Sequence, residues 1–199
     1  MKLFYAASSP FVRKVFIVAK ERGLHDKLEL VTANPWQPNN PILASNPAGK
    51  MPTMLLDSGE PLYDSHVICE YLDNLGKGPK FFPDLGPSRW VALRQSALGD
   101  ATMEAMIARR MESRRPDGER SQGWLERQRA VVDRCLDQME DEVGSLNDFT
   151  IGAVSWLCAL GHLGFRFADE PWQTNRPKLT GWYDALQKRA SVIETVPHD

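Results

Sequence analysis

The sequence predicts an α/β domain built on a small mixed sheet, followed by an all-helical domain, and three observations carry that prediction. Strand and helix signals alternate over roughly the first 75 residues. A stretch dense in glycine and proline, "GKGPKFFPDLGP" from Gly76 to Pro87, then interrupts the chain. Everything beyond it has helical periodicity. The boundaries that follow are 1–76 for the first domain, 77–87 for a linker and 88–199 for the helical domain.

Each element has a local reason. Lys2-Leu-Phe-Tyr-Ala6 reads as a buried or half-buried strand. Phe11, Val15, Ile17, Val18 and Ala19 suit one apolar face of a helix from Pro10 to about Arg22, closed by Gly23. "LELVT" supplies a second strand, and "NPWQPNNP" is too rich in Pro and Asn to be helical. "PTMLL" and "PLYD" flank Asp57-Ser-Gly-Glu60 as the arms of a hairpin, and a helix follows from Ser65 to about Leu75, with Val67, Ile68, Tyr71, Leu72 and Leu75 on one side. The order is βαβ then ββα, which gives one parallel pair, one antiparallel hairpin and helices packed on the sheet.

Beyond the interruption, residues 88–115 carry apolar positions at Val91, Leu98, Met103, Met106 and Ile107, and Pro116-Asp-Gly118 stops that helix. A second helix spans about Arg120 to Val143, with Trp124, Val131, Val132, Leu136 and Met139 as its apolar side. The short connection predicts an antiparallel pair. "TIGAVSWLCALGHLGFRF" is apolar nearly all round, as the central helix of a bundle must be. A last helix is expected from about Pro177 to Ala190.

Composition narrows the function. The chain has 24 basic and 26 acidic residues and a formal net charge of -2, so no global positive field favours nucleic acid or an anionic membrane. The longest apolar run, around Ile151 to Leu163, is too short and glycine-interrupted to span a bilayer. No basic n-region with a long apolar stretch opens the chain, so the cytoplasm is the expected location. Cys69, Cys135 and Cys158 are widely separated and lack metal-ligand spacing, which predicts core residues and no metal site. His25, His66 and His162 have no partner at metal or triad spacing and read as surface or satisfied core histidines.

The strand-to-helix junction at Ser8-Ser9-Pro10 is open to two readings. Proline fits the first helical position and serine the N-cap before it, so local structure alone explains both. The same hydroxyl and the same positive helix end also suit a bound thiolate or carboxylate. Asp64-Ser65, at the start of the helix after the hairpin, is likewise a good turn-and-cap pair in any protein.

"SSPFVRKV", "NPAGKMPTML" and "LYDSHVICEYL", in this order and spacing, resemble the cytosolic glutathione transferase family, especially its bacterial serine-type and cysteine-type members. The resemblance extends over the whole chain through "WLERQRAVVDRCLDQME" and the central apolar helix. It implies a thioredoxin-like first domain, glutathione as co-substrate, a small electrophilic and largely apolar second substrate, and a homodimer. By the same resemblance Ser9 meets the glutathione sulfur, a cis Met51-Pro52 segment pairs its backbone with the cysteinyl part, Asp64 and Ser65 hold the γ-glutamyl end, and Lys50 meets the glycyl carboxylate. Ser8, then Tyr5, are the rivals of Ser9 as thiol donor. Trp36, Met103, Met106 and Arg109 are candidates for the second-substrate pocket, and Asp100 for a reach across a dimer interface. For the methionines, core or subunit contact competes with that role.

The chemistry is coherent. A thiol with an ordinary pKa of about 8.5 is mostly protonated at neutral pH, and a hydroxyl donor plus a helix N-terminus favours the thiolate. Ser9 would then donate a hydrogen bond, acting as neither base nor nucleophile. Asp64 suits an ammonium and the helix end a carboxylate, which matches the two charges of an α-amino acid. Two departures from the family stand out. Thr150 caps the central helix but Ala153 cannot complete a capping box, so a weaker helix start is expected. Position 9 is serine where redox-active relatives have cysteine, which removes thiol-disulfide exchange there. A non-catalytic glutathione-binding or protein-interaction module is the alternative function on this fold.

Overall fold

The computed structural model describes residues 1–146 and 148–199, which pack as two compact units: Met1–Arg89 with Arg189–Asp199, and Trp90–Lys188. The first unit contains β1 (Lys2–Tyr5), α1 (Pro10–Glu21), β2 (Glu29–Thr32), β3 (Thr53–Leu55), β4 (Pro61–Leu62) and α2 (Ser65–Leu75). Its four strands lie in the order β2-β1-β3-β4. β1 runs parallel to β2, as the βαβ reading requires, and antiparallel to β3, while β3 and β4 form the expected hairpin. This is the α/β domain read from the sequence.

The helices start and stop for the reasons given. Ser9 caps α1, Pro10 occupies its first position and Gly23 follows its end at φ +65°. Val12, Val15, Ile17, Val18 and Ala19 are buried. On α2, Ile68 and Leu72 are buried, but Val67 and Leu75, expected on the same apolar side, are exposed.

The stretch 77–87, read as a linker, is tied down over its first half by one buried ion pair. Arg22 Nε lies 3.3 Å from Asp73 Oδ1, both side chains almost fully buried. The Arg22 guanidinium also donates to the carbonyls of Asp73, Gly76, Gly78 and Pro79, at 2.6 to 2.8 Å. Asp73 accepts from the backbone amides of Phe81 and Phe82, at 3.1 and 3.0 Å. Irregular backbone has no ladder of its own, so a buried charge pair with many hydrogen-bonding atoms supplies the missing partners.

The second unit is helical: α3 (Pro87–Ser113, its first residues in the first unit), α4 (Gln122–Glu142), α5 (Ile151–Arg166) and α6 (Pro177–Leu186). Arg94 near the start of α3 meets Glu142 at the end of α4 in a two-bond fork, at 2.7 Å each. Glu112 at the end of α3 accepts from the Ser121 amide at the start of α4. Those two contacts make α3 and α4 antiparallel, as expected. Val91 and Trp124, placed on the apolar faces of these helices by periodicity, are exposed instead.

Ile151 to Leu163 of α5 are all buried. Close approach to α3 depends on glycine. A Cβ on Gly99 would meet Ser155 at 2.7 Å, and one on Gly152 would meet Gln95 at 2.5 Å. Here Ser96 and Ser155 share a hydrogen bond of 2.9 Å, and Trp156 Nε1 donates to the Gln95 carbonyl at 2.8 Å. Thr150 sits at the N-cap of α5, but its hydroxyl is buried without a hydrogen-bond partner among the described residues, so the side-chain cap expected of Thr150 is itself missing, beyond the return bond that Ala153 cannot make.

The last helix differs from expectation. α6 ends at Leu186, Gln187 closes it, Arg189 is extended, and a short α7 (Ala190–Ile193) follows. The helical domain was expected to run to residue 199, whereas the chain from Arg189 onward packs with the first unit. Arg189 and Ser191 both bond Glu21, and Lys20 pairs with Glu194. These attachments to α1 outweigh continuation of α6. None of the helices among the described residues is long and apolar enough to cross a membrane.

Candidate functional site

Sheet topology gathers the candidate residues. β1 ends at Tyr5 opposite the end of β2 at Thr32, and β3 begins at Thr53 opposite Phe4. β4 ends at Leu62 opposite Met54. The C-terminal ends of β1, β2 and β4 therefore lie at the same side of the sheet as the N-terminal end of β3. The turn leading to Ser9, the loop bearing Trp36, the Met51-Pro52 bond and Asp64-Ser65 all leave the sheet there.

Ser9 is half-buried and performs the capping role in full. Its Oγ accepts from the Val12 amide at 3.3 Å, its carbonyl from the Arg13 amide at 3.0 Å, and its own N–H donates to Ala6 at 3.1 Å. Because Oγ acts as acceptor in the cap, the hydroxyl hydrogen remains for an outside acceptor. Pro10 has no N–H, and the Val12 and Arg13 amides are used. The Phe11 amide is thus the one first-turn donor of α1 with no acceptor among the described residues, a point not read from the sequence. Proline at the first helical position was the signal for it. Ser8 lies in the preceding turn, and the Tyr5 ring packs on Phe16 with centroids 5.6 Å apart.

Met51-Pro52 is cis, and Tyr63-Asp64 is cis as well. Met51 packs on the cluster of Phe4, Ala33 and Ile42, while its N–H and C=O make no hydrogen bond among the described residues. The loop before it is shaped by two buried side chains that sequence reasoning passed over. Asn46 Nδ2 donates to the Lys50 carbonyl at 3.2 Å and to Thr53 Oγ1 at 2.9 Å, and Thr53 Oγ1 donates to the same carbonyl at 2.8 Å. Asn46 Oδ1 accepts from the Ala48 amide. Gly49, at φ +62°, completes the turn. An Asn-Pro pair followed by glycine was the available signal.

Asp64 is exposed and caps α2 by accepting from the His66 amide at 3.0 Å, and Ser65 is buried beside it. The Ser65 and Val67 amides of that first turn have no partner among the described residues. Lys50 projects an exposed side chain from the same loop as Met51. Together these make an extended strip of an open backbone pair, two helix N-termini, a hydroxyl, a carboxylate and an ammonium. Such an arrangement offers donors to an anionic group and a carboxylate to a cationic one.

The second-substrate candidates divide. Trp36 is 63 % exposed in the loop after β2. Met106 is completely buried, as is Met103, and both belong to the core of the second unit. Arg109 is 7 % exposed, bonded to Glu170 and stacked on Phe167 at 4.4 Å, with Nη1 lacking a partner among the described residues. Asp100 is half-buried on α3. His162 is buried, but neither ring nitrogen has a hydrogen-bond partner among the described residues, contrary to the satisfied core histidine expected. Burial, reinforced by the positive charges of Arg166 and Arg110, pushes its pKa down to about 4. No cluster of three or more metal-ligating side chains occurs among the described residues.

The glutathione S-transferase N-terminal domain family matches residues 8–75, and the glutathione S-transferase C-terminal domain family matches residues 122–185. The uncharacterized GST-like protein YibF of Escherichia coli K12 is 33 % identical over 99 % of this chain and 98 % of its own length. The chain belongs to the glutathione transferase family. A family member from Pseudomonas fluorescens Pf-5, solved with bound glutathione, superposes with a TM-score of 0.95 at 36 % identity, covering 100 % of this chain and 99 % of that one. A second structure from that organism, with bound S-(propanoic acid)-glutathione, gives 0.91 at 36 % identity and covers both chains completely. Family membership accounts for the two-part architecture, the N-terminal match lying in the first part of the chain and the C-terminal match in the second.

Proposed function

We propose that the chain is a serine-type glutathione transferase that joins the glutathione thiolate to small, largely apolar electrophiles. The observation that carries this reading is the convergence at one sheet end of Ser9, the open backbone of Met51 beside a cis proline, and Asp64-Ser65. The bound glutathione of the Pseudomonas relatives supports the same ligand here.

In this reading Met51 pairs its N–H and C=O with the cysteinyl unit, as one more strand edge would. Asp64 takes the γ-glutamyl ammonium, the Ser65 helix end its carboxylate, and Lys50 the glycyl carboxylate. The sulfur then lies at the start of α1. The Ser9 hydroxyl and the Phe11 amide donate to it, and the helix dipole adds to their effect. Both donors bind the anion more strongly than the thiol, so the proton leaves to solvent and the nucleophile is populated near neutral pH. Sulfur attacks an electron-poor carbon; with an aryl chloride the C–S bond forms, the C–Cl bond breaks and chloride departs. The active protein is a homodimer in this proposal.

The test is turnover of 1-chloro-2,4-dinitrobenzene with glutathione, read together with thiolate absorbance of the binary complex. The wild-type protein is expected to conjugate and to lower the thiol pKa, and Ser9→Ala to lose about 10²-fold in kcat, the usual cost of one donor to a developing or resident anion. Glutathione binding with no turnover on a broad panel of electrophiles would leave the non-catalytic module as the function.

A further inference from the structure

Arg13, one helical turn beyond Ser9, is the most unusual charge in the first unit. It is 3 % exposed. Its Nη2 donates to the Val192 carbonyl at 3.2 Å and its Nε to Thr195 Oγ1 at 3.5 Å, and the Thr195 hydroxyl in turn donates to the Ser191 carbonyl at 2.7 Å. All these partners are neutral. No carboxylate lies within ion-pair distance of Arg13 among the described residues, although a buried cation is ordinarily paired.

Lys20, Glu21 and Arg22 on α1 and Glu70 on α2 are already matched. On α1, Lys20 pairs with Glu194 at 2.7 Å, Glu21 with Arg189 at 2.6 Å, and Arg22 with Asp73 at 3.3 Å. Lys14, buried at the next position, has interactions of its own. On α2, Glu70 pairs with Arg89 at 2.7 Å. Arg13 therefore contributes an uncancelled positive charge to the helix that Ser9 opens. Residues four apart share a helix face, and the Arg13 amide already bonds the Ser9 carbonyl. The segment Ser191–Thr195 grips the guanidinium through backbone and hydroxyl oxygens, which fixes its place without neutralising it.

We propose that Arg13, anchored by Val192 and Thr195, is a positioning residue whose uncancelled charge strengthens the field at the N-terminus of α1 and favours the thiolate of glutathione bound at Ser9. This rests on the reading of Ser9 given above. A buried unpaired cation costs stability, and a site that must hold an anion gives that cost a use. Arg13 stands four residues beyond Ser9 on α1, about one helical turn, so it tunes the thiol without touching it. At an effective dielectric of about 20 to 40, a unit charge roughly 8 Å away shifts a titration by about one unit.

The experiment is a spectroscopic pH titration of bound glutathione in the full chain for wild type, Arg13→Gln, Arg13→Lys and Ser9→Ala, with calorimetric Kd and circular dichroism on each. Arg13→Gln is expected to raise the thiol midpoint by about one unit, a tenfold loss of thiolate below it, with Kd for the tripeptide changed less than threefold at a pH where the wild-type thiol is protonated. Arg13→Lys restores most of the shift, which a purely structural role for the guanidinium fork would not predict. If Arg13→Gln does not fold, Arg13→Met takes its place as a neutral residue of similar length. A folded, glutathione-binding neutral variant with the wild-type midpoint overturns the proposal while Ser9→Ala still shifts. A Ser9→Ala protein with the wild-type midpoint instead overturns the reading of Ser9, whatever Arg13 does.

Discussion

Asn46 Nδ2 and Thr53 Oγ1 meet at 2.9 Å in a buried contact that closes the loop around the cis Met51-Pro52 bond. Both side chains also bind the Lys50 carbonyl, so three polar groups satisfy one another with no help from solvent. Neither residue is proposed to touch glutathione. Asn46→Ala leaves buried partners unsatisfied and is expected to cost about 1–3 kcal/mol in urea unfolding. The loosened loop should also weaken glutathione binding about tenfold by calorimetry at constant pH. A variant destabilised to that degree yet binding normally would detach the loop from the ligand.

Ser9→Cys tests what the serine withholds. A thiol at a helix N-terminus has a lowered pKa and is a good nucleophile. Incubated with oxidised glutathione, the variant thiolate should attack the disulfide, form a mixed disulfide at position 9 and release glutathione as thiolate. Mass spectrometry of intact protein and of peptides reads the adduct. The wild-type chain should show none at that position.

His162 predicts an acid-sensitive core. Its folded pKa of about 4 lies below the ordinary 6.5, because burial first and then the charges of Arg166 and Arg110 oppose the cation. Between these values the unfolded chain binds more protons than the folded one. The contribution is complete above about pH 6.5 and is lost as pH falls toward 4, by up to about 3 kcal/mol. His162→Leu should flatten that part of the profile of unfolding free energy against pH, and an unchanged slope would place the acid sensitivity elsewhere.

The Arg22–Asp73 pair should matter far more than the Arg94–Glu142 fork. Removing one partner of a buried pair strands the other, so Asp73→Ala is expected to cost about 3–5 kcal/mol and Asp73→Asn less, since the amide oxygen still accepts from one backbone amide. Arg94 is largely exposed, and Arg94→Ala should cost under about 1 kcal/mol. Urea midpoints of the three variants, compared at constant pH and salt, give the order directly.

Most of the fold was legible because its signals are local. Serine and proline at residues 9 and 10, Gly23 past the end of α1, and the Asp57–Glu60 turn between alternating strands each decide one boundary. The candidate glutathione residues were legible only as an ordered set, since each alone has a structural explanation. What escaped the sequence depends on partners distant along the chain. Nothing near Arg22 announces Asp73 or the Gly78 and Pro79 carbonyls, and nothing near residue 190 announces Glu21. Periodicity also marked Met106 as apolar without telling ligand wall from core, and marked Val91 and Trp124 as inward-facing when they are not.

The contact of Gly99 with Ser155, and of Gly152 with Gln95, has a bearing on how this chain can diversify. Two helices that touch through bare backbone at two heights cannot slide or spread to accept a larger residue, so the pair behaves as a rigid spine with no tolerance for added methyl groups. Variation in the second unit must then accumulate on its outward positions, such as Trp124 and its exposed neighbours on α4, and leave the spine as it is.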